Sequence, residues 1–419
     1  LAIIAPETHK ETPMPGPLSH IRVLDLTRVL AGPWCAQNLA DLGADVIKVE
    51  RPKKGDDSRA FGPPWVKDEN GKETTESAYF MSANRGKKSI TIDVSKPAGQ
   101  AIVREIAKTA DVVLENYKTG DLVRYGLGYE DLKKVNPKII YCSITGFGQT
   151  GPYREKPGYD FMVQGMGGFM SVTGERDSKP GGGPQRAGIP IVDIMTGMYS
   201  TIAVCAAIAH RAETGIGQHI DMALLDTQVA ILANQGGNYL ATGEPPGRLG
   251  NTHPNIVPYQ SVKTKDGAII LACGNDNLFN KLCQEADAMH LPKDPRFATN
   301  AARVTNRDAL DELLEPIMMK RTTAEWVKAL ETAGVPCGPI NNLKEVFEDP
   351  QVQARGMKIE MPHKTAGKVP LIRGPMRFSA TPVEHKIGPP ILGEHTDDVL
   401  KSLGKSAEEI AKLKSDGIV

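Results

Sequence analysis

Between residues 21 and 145, short runs rich in Val and Ile alternate with stretches of helical periodicity: IRVLDL, WCAQNLADLG, ADVIKVE, SITIDV, AGQAIVREIAKTA, DVVLEN and IIYCSITG. Near-continuous apolar runs are what strands buried on both faces require, and a helix between successive strands returns the chain so that the next strand lies parallel. The alternation predicts an α/β fold, a Rossmann-like, doubly wound, mainly parallel sheet covered by helices on both faces. Local chemistry agrees in the first unit. Pro33 falls at a helix start, where a missing N–H is harmless, and Gly43 falls where that helix must stop in a left-handed turn.

A chain of 419 residues exceeds the roughly 250 to 300 residues at which a single core stops growing, so two unequal domains are expected. Residues 1–18 read as an N-terminal extension in which Met14 could be the true start. Residues 19–238 form the large domain, and the Pro- and Gly-rich stretch 239–252 reads as a linker. A smaller α+β domain, 253–342, opens on PYQSVKT and AIILACG, which flank Lys265-Asp266-Gly267 as a hairpin. It continues with helices around 278–289, 301–320 and 323–333, the last capped by Thr322 or Thr323. Residues 343–419 are too few for a domain of their own and are expected to return to the first one. The apolar run Ile194–Ala209, interrupted by Thr and Ser, reads as a core helix rather than a membrane span.

Fifty basic residues balance fifty acidic ones, so no global field draws the chain to nucleic acid or to an anionic membrane, and anionic ligands must be held by local clusters. The six cysteines show no C-x-x-C pair or zinc-type spacing and read as reduced, mostly buried thiols; no metal is expected. The opening LAIIAPETHKETP carries no readable export or organelle signal, so a cytoplasmic location is expected. His219, His253 and His395 stand without informative partners and read as structural, as do the methionines at 162, 166, 170, 195 and 198.

A doubly wound sheet binds ligands outside the carboxyl ends of its strands, so the loops TRVLAGP and RPKKGDDSR should line one crevice. The first lacks G-x-G-x-x-G, which removes the NAD reading and with it a ribose role for Glu50. Arg51, Lys53, Lys54, Arg59, Lys87, Lys88, Lys96 and Arg124 gather near strand ends and would suit a polyphosphate, Arg51 and Arg124 best because each lies beside an element end. The triple glycine 181–183 lacks the following Lys-Ser or Lys-Thr of a phosphate loop and reads as surface. Asp193, behind a Gly-Ile-Pro lead-in, starts the most apolar helix. An acid there can be a helix cap or a nucleophile, and a helix N-terminus that favours negative charge would keep it ionised in either role.

Gly158-Tyr159-Asp160 and the lead-in to Asp193 together resemble the class III CoA-transferases, the family of formyl-CoA:oxalate and L-carnitine CoA-transferases, and the resemblance runs from about Leu18 to the C-terminus. It implies that Asp193 is the catalytic aspartate, acylated first and then carrying CoA as a thioester, with Tyr159 and Gly250 in the catalytic surroundings. It places Arg51 near the CoA adenine, Leu30 and Ala31 beside the thioester, Ile92 at a hydrophobic contact, and Asn116, Tyr117 and Arg124 in the CoA-holding segment E-N-Y-K-T-G-D-L-V-R. Formyl-CoA transferases carry Gln where this chain has Leu30. The family's lysine near Ile92 is replaced by Ser95, with Lys96 adjacent. Gly250-Asn251-Thr252 stands where those enzymes have a glycine-rich flap.

The resemblance further implies coenzyme A or acyl-CoA as substrate with no tightly bound cofactor, carboxylic acids as the other substrates, and a homodimer of two interlocked rings. T-R-V-L-A-G-P and G-V-P-C-G-P-I-N-N look most like succinyl-CoA:glutarate-type enzymes, which move CoA between dicarboxylates. Arg28 or Arg248 would then pair with the distal carboxylate. The alternatives are an α-methylacyl-CoA racemase, which has G-H-D where this chain has G-Y-D and whose second base Tyr159 would replace poorly, or a formyl-CoA:oxalate transferase.

Overall fold

The structure, a computed structural model, describes residues 16–419; most of the expected N-terminal extension, Met14 included, lies outside them. The chain forms two compact units. The larger holds a six-stranded, all-parallel sheet made of β1 (Arg22–Asp25), β2 (Asp45–Glu50), β3 (Lys87–Thr91), β4 (Val112–Glu115), β5 (Ile140–Thr145) and β6 (His219–Ala223). Their spatial order is β3-β2-β1-β4-β5-β6, the doubly wound order in which the chain reverses direction between β1 and β4 and opens a crevice there.

Helices cover both faces. One apolar layer joins β1, β2 and β4 to α1 (Ala31–Asp41), through Cys35, Ala36 and Leu39, and to α3 (Ile191–Thr214), through Val192, Val204 and Ala207. The opposite layer packs Ile102, Val103 and Ile106 of α2 (Pro97–Ala107) under the same strands, together with Val399, Leu400 and Ile410 of the two C-terminal helices. Residues 351–419 thus belong to the large unit. They also supply the antiparallel hairpin Lys358–His363 with Gly367–Ile372, whose Met361, Val369 and Leu371 bury against Phe80 and Met81. A second hairpin, Trp65–Lys67 with Glu73–Ser77, is likewise invisible in the sequence pattern, because both are short, partly exposed strands whose alternation is interrupted by polar residues.

The α3 helix is 24 residues long, long enough by length and composition to cross a membrane, so length alone does not settle its reading. Val192, Thr196, Gly197, Ser200, Thr201, Val204, Ala207 and Ile208 are buried along one side of it, and α1 packs along it.

The second unit comprises residues 168–186 and 232–350. It thus takes a segment from inside the range expected for the large domain, starts earlier than the expected linker and ends beyond Asn342. Residues 168–186 are held by backbone bonds such as Gly250 N–H to the Gly174 carbonyl at 3.0 Å, a long-range pairing with no local sequence signature. The expected hairpin is present as Tyr259–Lys263 against Ala268–Ala272, with Cys337–Pro339 as third strand. Thr322 caps the helix Thr323–Thr332 in a reciprocal box with Glu325. The core of this unit gathers Phe279, Leu310, Leu314 and Trp326.

Candidate active site

At the crevice between β1 and β4 lies a cleft of about 270 Å³. Its walls are the loop after β1 (Arg28, Val29, Leu30, Ala31), the loop after β4 (Asn116, Tyr117, Lys118, Thr119), the end of β5 with Gly146, residues 157–159, and Asp193 from α3. Seven residues singled out in the sequence therefore meet: Arg28, Leu30, Ala31, Asn116, Tyr117, Tyr159 and Asp193. Close backbone approach makes this possible. Gly146 and Gly158 cross so tightly that a Cβ on either would lie 2.4 or 2.2 Å from the other's Cα. This fixes Tyr159, 69% exposed, at the start of the helix Asp160–Met166. A Cβ on Gly197 would lie 2.7 Å from the Ala31 carbonyl oxygen, so the start of α1 is seated on α3 one turn beyond Asp193.

Of the two roles open to Asp193, the helix cap is not the one that the structure gives it. Asp193 is the third residue of its helix, and the cap is Asp160, whose Oδ2 accepts from the N–H groups of Val192 at 2.8 Å and Asp193 at 3.2 Å. The Asp193 carboxylate makes no hydrogen bond to any described residue. Instead of being held ionised by the helix end, it is pushed up to about 7, first by burial and then by the charge of Asp160. The helix end's N–H groups are directed at Asp160, and a second acid beside the first disfavours two charges. Burial and the charges of Asp193 and Asp160 likewise push the Tyr79 phenol up to about 12.

Were Asp193 the nucleophile, it would have to be ionised, so kcat/KM of the wild-type enzyme should rise with pH through about 7 and level off above it. Asp160→Asn keeps an oxygen able to cap α3 and removes the charge. Its acid limb is expected at lower pH, moved by less than half of the rise from 3.8 to about 7, because desolvation is the larger cause. A pH–rate profile in which the limb stays put excludes any action of Asp160 on Asp193.

A second, narrow pocket adjoins the cleft and is lined by Arg28, Val49, Arg51, Ile92, Val94 and Tyr117 among others. Arg51 and Ile92 are thus brought beside the Tyr117 ring, over which the Arg28 guanidinium lies at 5.3 Å. Asp57 binds both Arg51 and Arg28. Glu50, accepting from Arg59 and Ser89, is fully engaged in structure.

The remaining expected cations are not in the crevice. Lys96 donates to the carbonyls of Asp416 and Gly417 at 2.9 and 3.0 Å, closing the C-terminal helix end, where a cation is electrostatically welcome. Arg124, its side chain 69% exposed, pairs with Asp121 on its own short helix. Lys87 is fully buried against Asp25, and Lys88 is engaged by Asp45.

Asn116 lines the cleft and is also bonded to its loop. Its amide donates to the Arg28 carbonyl at 2.7 Å and accepts from the Arg28 N–H at 2.9 Å, so it holds the cleft loop in place. In the second unit, Gly250 sits at φ +62 with Glu175 where a side chain would go, and Arg248 is engaged by Asp177 and the Glu175 carbonyl. Both are bound to residues 168–186 of their own unit. The sequence reading missed Arg154 and Lys156, which line the Asp193 cleft. The signal available was the basic pair four and two residues ahead of Gly158.

A partly buried, uncapped carboxylate at the switch point of a doubly wound sheet, with arginines and lysines around it, is equipment for acyl transfer through a carboxylate nucleophile. The chain belongs to CoA-transferase family III, which its sequence matches over residues 18–396, and it is an enzyme of that type. It is 52% identical over 387 residues to the succinate–glutarate CoA-transferase of Agrobacterium fabrum, covering 92% of this chain and 96% of that one. It is 43% identical over 404 residues to the human succinyl-CoA:glutarate CoA-transferase, covering 96% and 90% of the two chains. Among solved structures, a CAIB/BAIF family protein from Brucella suis superposes with a TM-score of 0.82 at 51% identity, covering 93% of this chain and all of that one.

Proposed function

We propose that this enzyme moves CoA from succinyl-CoA, or a similar donor, to a dicarboxylic acid such as glutarate through an aspartyl-CoA thioester on Asp193. The observation that carries the reading is the Asp193 carboxylate itself, which makes no hydrogen bond to any described residue and lines the cleft that Leu30 and Ala31 also line. The names of the relatives from Agrobacterium and man support the choice of acids. Asp193 attacks the thioester carbonyl, giving a mixed anhydride and CoA thiolate. The thiolate attacks the aspartyl carbonyl and releases succinate. The acceptor carboxylate then displaces the thiolate to form a second anhydride, and the thiolate takes the acceptor's acyl group, returning Asp193 to the carboxylate. Every nucleophile is already an anion, either a carboxylate or the thiolate released in the step before, so no net proton transfer is required. Substrate CoA lies with its adenine end toward Arg51, Ile92 and Tyr117.

Arg28 is the cleft cation assigned to the distal carboxylate of the acceptor. One of its terminal nitrogens pairs with Asp57 and its Nε is buried without a hydrogen-bond partner among the described residues, whereas Arg248 pairs with Asp177 and does not line this cleft. The reading includes a cytoplasmic location and an interlocked homodimer. A racemase reading is disfavoured, since Tyr159 stands where those enzymes have a histidine, and a phenol exchanges protons near neutrality less readily than an imidazole does.

A panel of mono- and dicarboxylic acceptors, with new CoA esters read by mass, tests the assignment. Glutarate-length diacids should be used at least about tenfold more efficiently than monoacids, and Arg28→Ala should erase that preference by raising KM for the diacid. Equal use of both classes by the parent sinks the dicarboxylate reading, and an unchanged preference in Arg28→Ala sinks the role of Arg28.

A further inference from the structure

We propose that the buried Lys48–Asp56 ion pair is a positioning device for this reaction: it locks Val29 in a left-handed backbone and so keeps Leu30 and Ala31 against the face of α3 that carries Asp193. The inference rests on the reading of Asp193 as nucleophile. Val29 has φ +69, a conformation that a β-branched residue adopts only when its surroundings impose it. The surroundings here are side chains rather than secondary structure. Asp56 accepts from the Val29 N–H at 3.0 Å. Lys48 donates to Asp56 and to the Thr27 carbonyl, both at 2.8 Å. The Thr27 N–H is taken by Asp25 at 2.9 Å, and Arg28 is held at both backbone groups by Asn116.

Both members of the pair have fully buried side chains. A buried ion pair is weak evidence for stability, because a matched apolar pair often serves as well. What an apolar pair cannot do is bond the backbone at residues 27 and 29. Ala31, two residues beyond Val29, then makes its close approach at Gly197, one turn from Asp193. A rotation at Val29 would move Leu30 and Ala31 together, out of the position from which they meet a thioester bound at Asp193. Neither Lys48 nor Asp56 lines the cleft around Asp193; Asp56 lines only the narrow pocket beside it, so toward Asp193 the pair acts through the loop.

The test is a cycle of Asp56→Asn and Val29→Gly in the full-length enzyme, with kcat, KM for the acyl-CoA and thermal stability measured for each. Asp56→Asn should lower kcat by about 30-fold while KM changes by less than about threefold, a loss of the size that small misplacements cause. Glycine takes the left-handed backbone unaided. In the Val29→Gly background the further loss on adding Asp56→Asn should therefore fall below about fivefold. Should Asp56→Asn fail to fold because Lys48 is left unpaired, the charge-free Lys48→Met/Asp56→Leu pair replaces it in the same cycle with the same expectation. A folded variant with kcat within about twofold of the parent, or equal losses in both backgrounds, overturns the proposal. Asp193→Asn run alongside separates the two readings: full activity there removes the nucleophile and this inference with it, whereas an essential Asp193 with an indifferent clamp removes the inference alone.

Discussion

Asp193→Asn should leave a folded protein whose turnover is lower by on the order of 10⁴-fold or more, the size of effect seen when a covalent nucleophile is removed. The substitution is nearly isosteric, and the cap of α3 is supplied by Asp160, so the helix keeps its start. The measurement is steady-state turnover together with intact-protein mass after exposure to an acyl-CoA. The parent should show an adduct of CoA mass and the variant none. A variant turning over within tenfold of the parent would defeat the covalent reading.

Stability separates loss of chemistry from loss of fold. Asp193 is pushed up to about 7 in the folded protein from an ordinary 3.8, so the fold binds its proton more tightly than the unfolded chain does. Stability from this group is therefore greatest below about pH 4 and declines as pH rises through about 7. Asparagine carries no such penalty. The variant should melt above the parent at pH 8, and its advantage should vanish on going below pH 4. In the proposed role, a carboxylate that weakens the native state at working pH would be the usual trade between activity and stability.

Gly197→Val should cost about 2–3 kcal/mol of stability and lower kcat by more than about tenfold in the protein that remains folded. A Cβ at 197 meets the Ala31 carbonyl oxygen at 2.7 Å and Trp34 Cβ at 2.9 Å. The first is backbone and cannot swing away, so α1 and its lead-in loop must move off α3. Valine's helix propensity is close enough to glycine's that the measured loss reports the clash. Gly237→Ala is the control, since nothing lies within 4 Å of a Cβ there. It should be neutral or stabilising by up to about 1 kcal/mol, as denaturant midpoints will show. Equal responses at the two glycines would mean that the contact between α1 and α3 is not tight.

Asp193 and the G-Y-D segment were legible because each sits in a short run of specific residues, and the cleft-lining Leu30, Ala31 and Tyr117 were legible through their neighbours in the same way. Roles that depend on which partner arrives from elsewhere were not. Asp160 caps a helix that starts some thirty residues later, Asn116 holds a loop from the far side of the switch point, and Lys96 closes the C-terminal helix. The basic residues were the poorest guide. A lysine or arginine in sequence has a charge but no address, and here burial consigns Lys87 to Asp25 while Lys48 goes to Asp56.

By itself the sequence determined the parallel sheet, the hairpin of the second unit, the family and the carboxylate that lines its cleft. These are set by periodicity, turn chemistry and local motifs, all of which act over a few residues. Only the tertiary structure decided the proton affinity of Asp193, the strained backbone at Val29 and the buried ion pair beneath it. Each arises from desolvation and from contacts between groups far apart in the chain, energies that exist only once the fold has excluded water from between them.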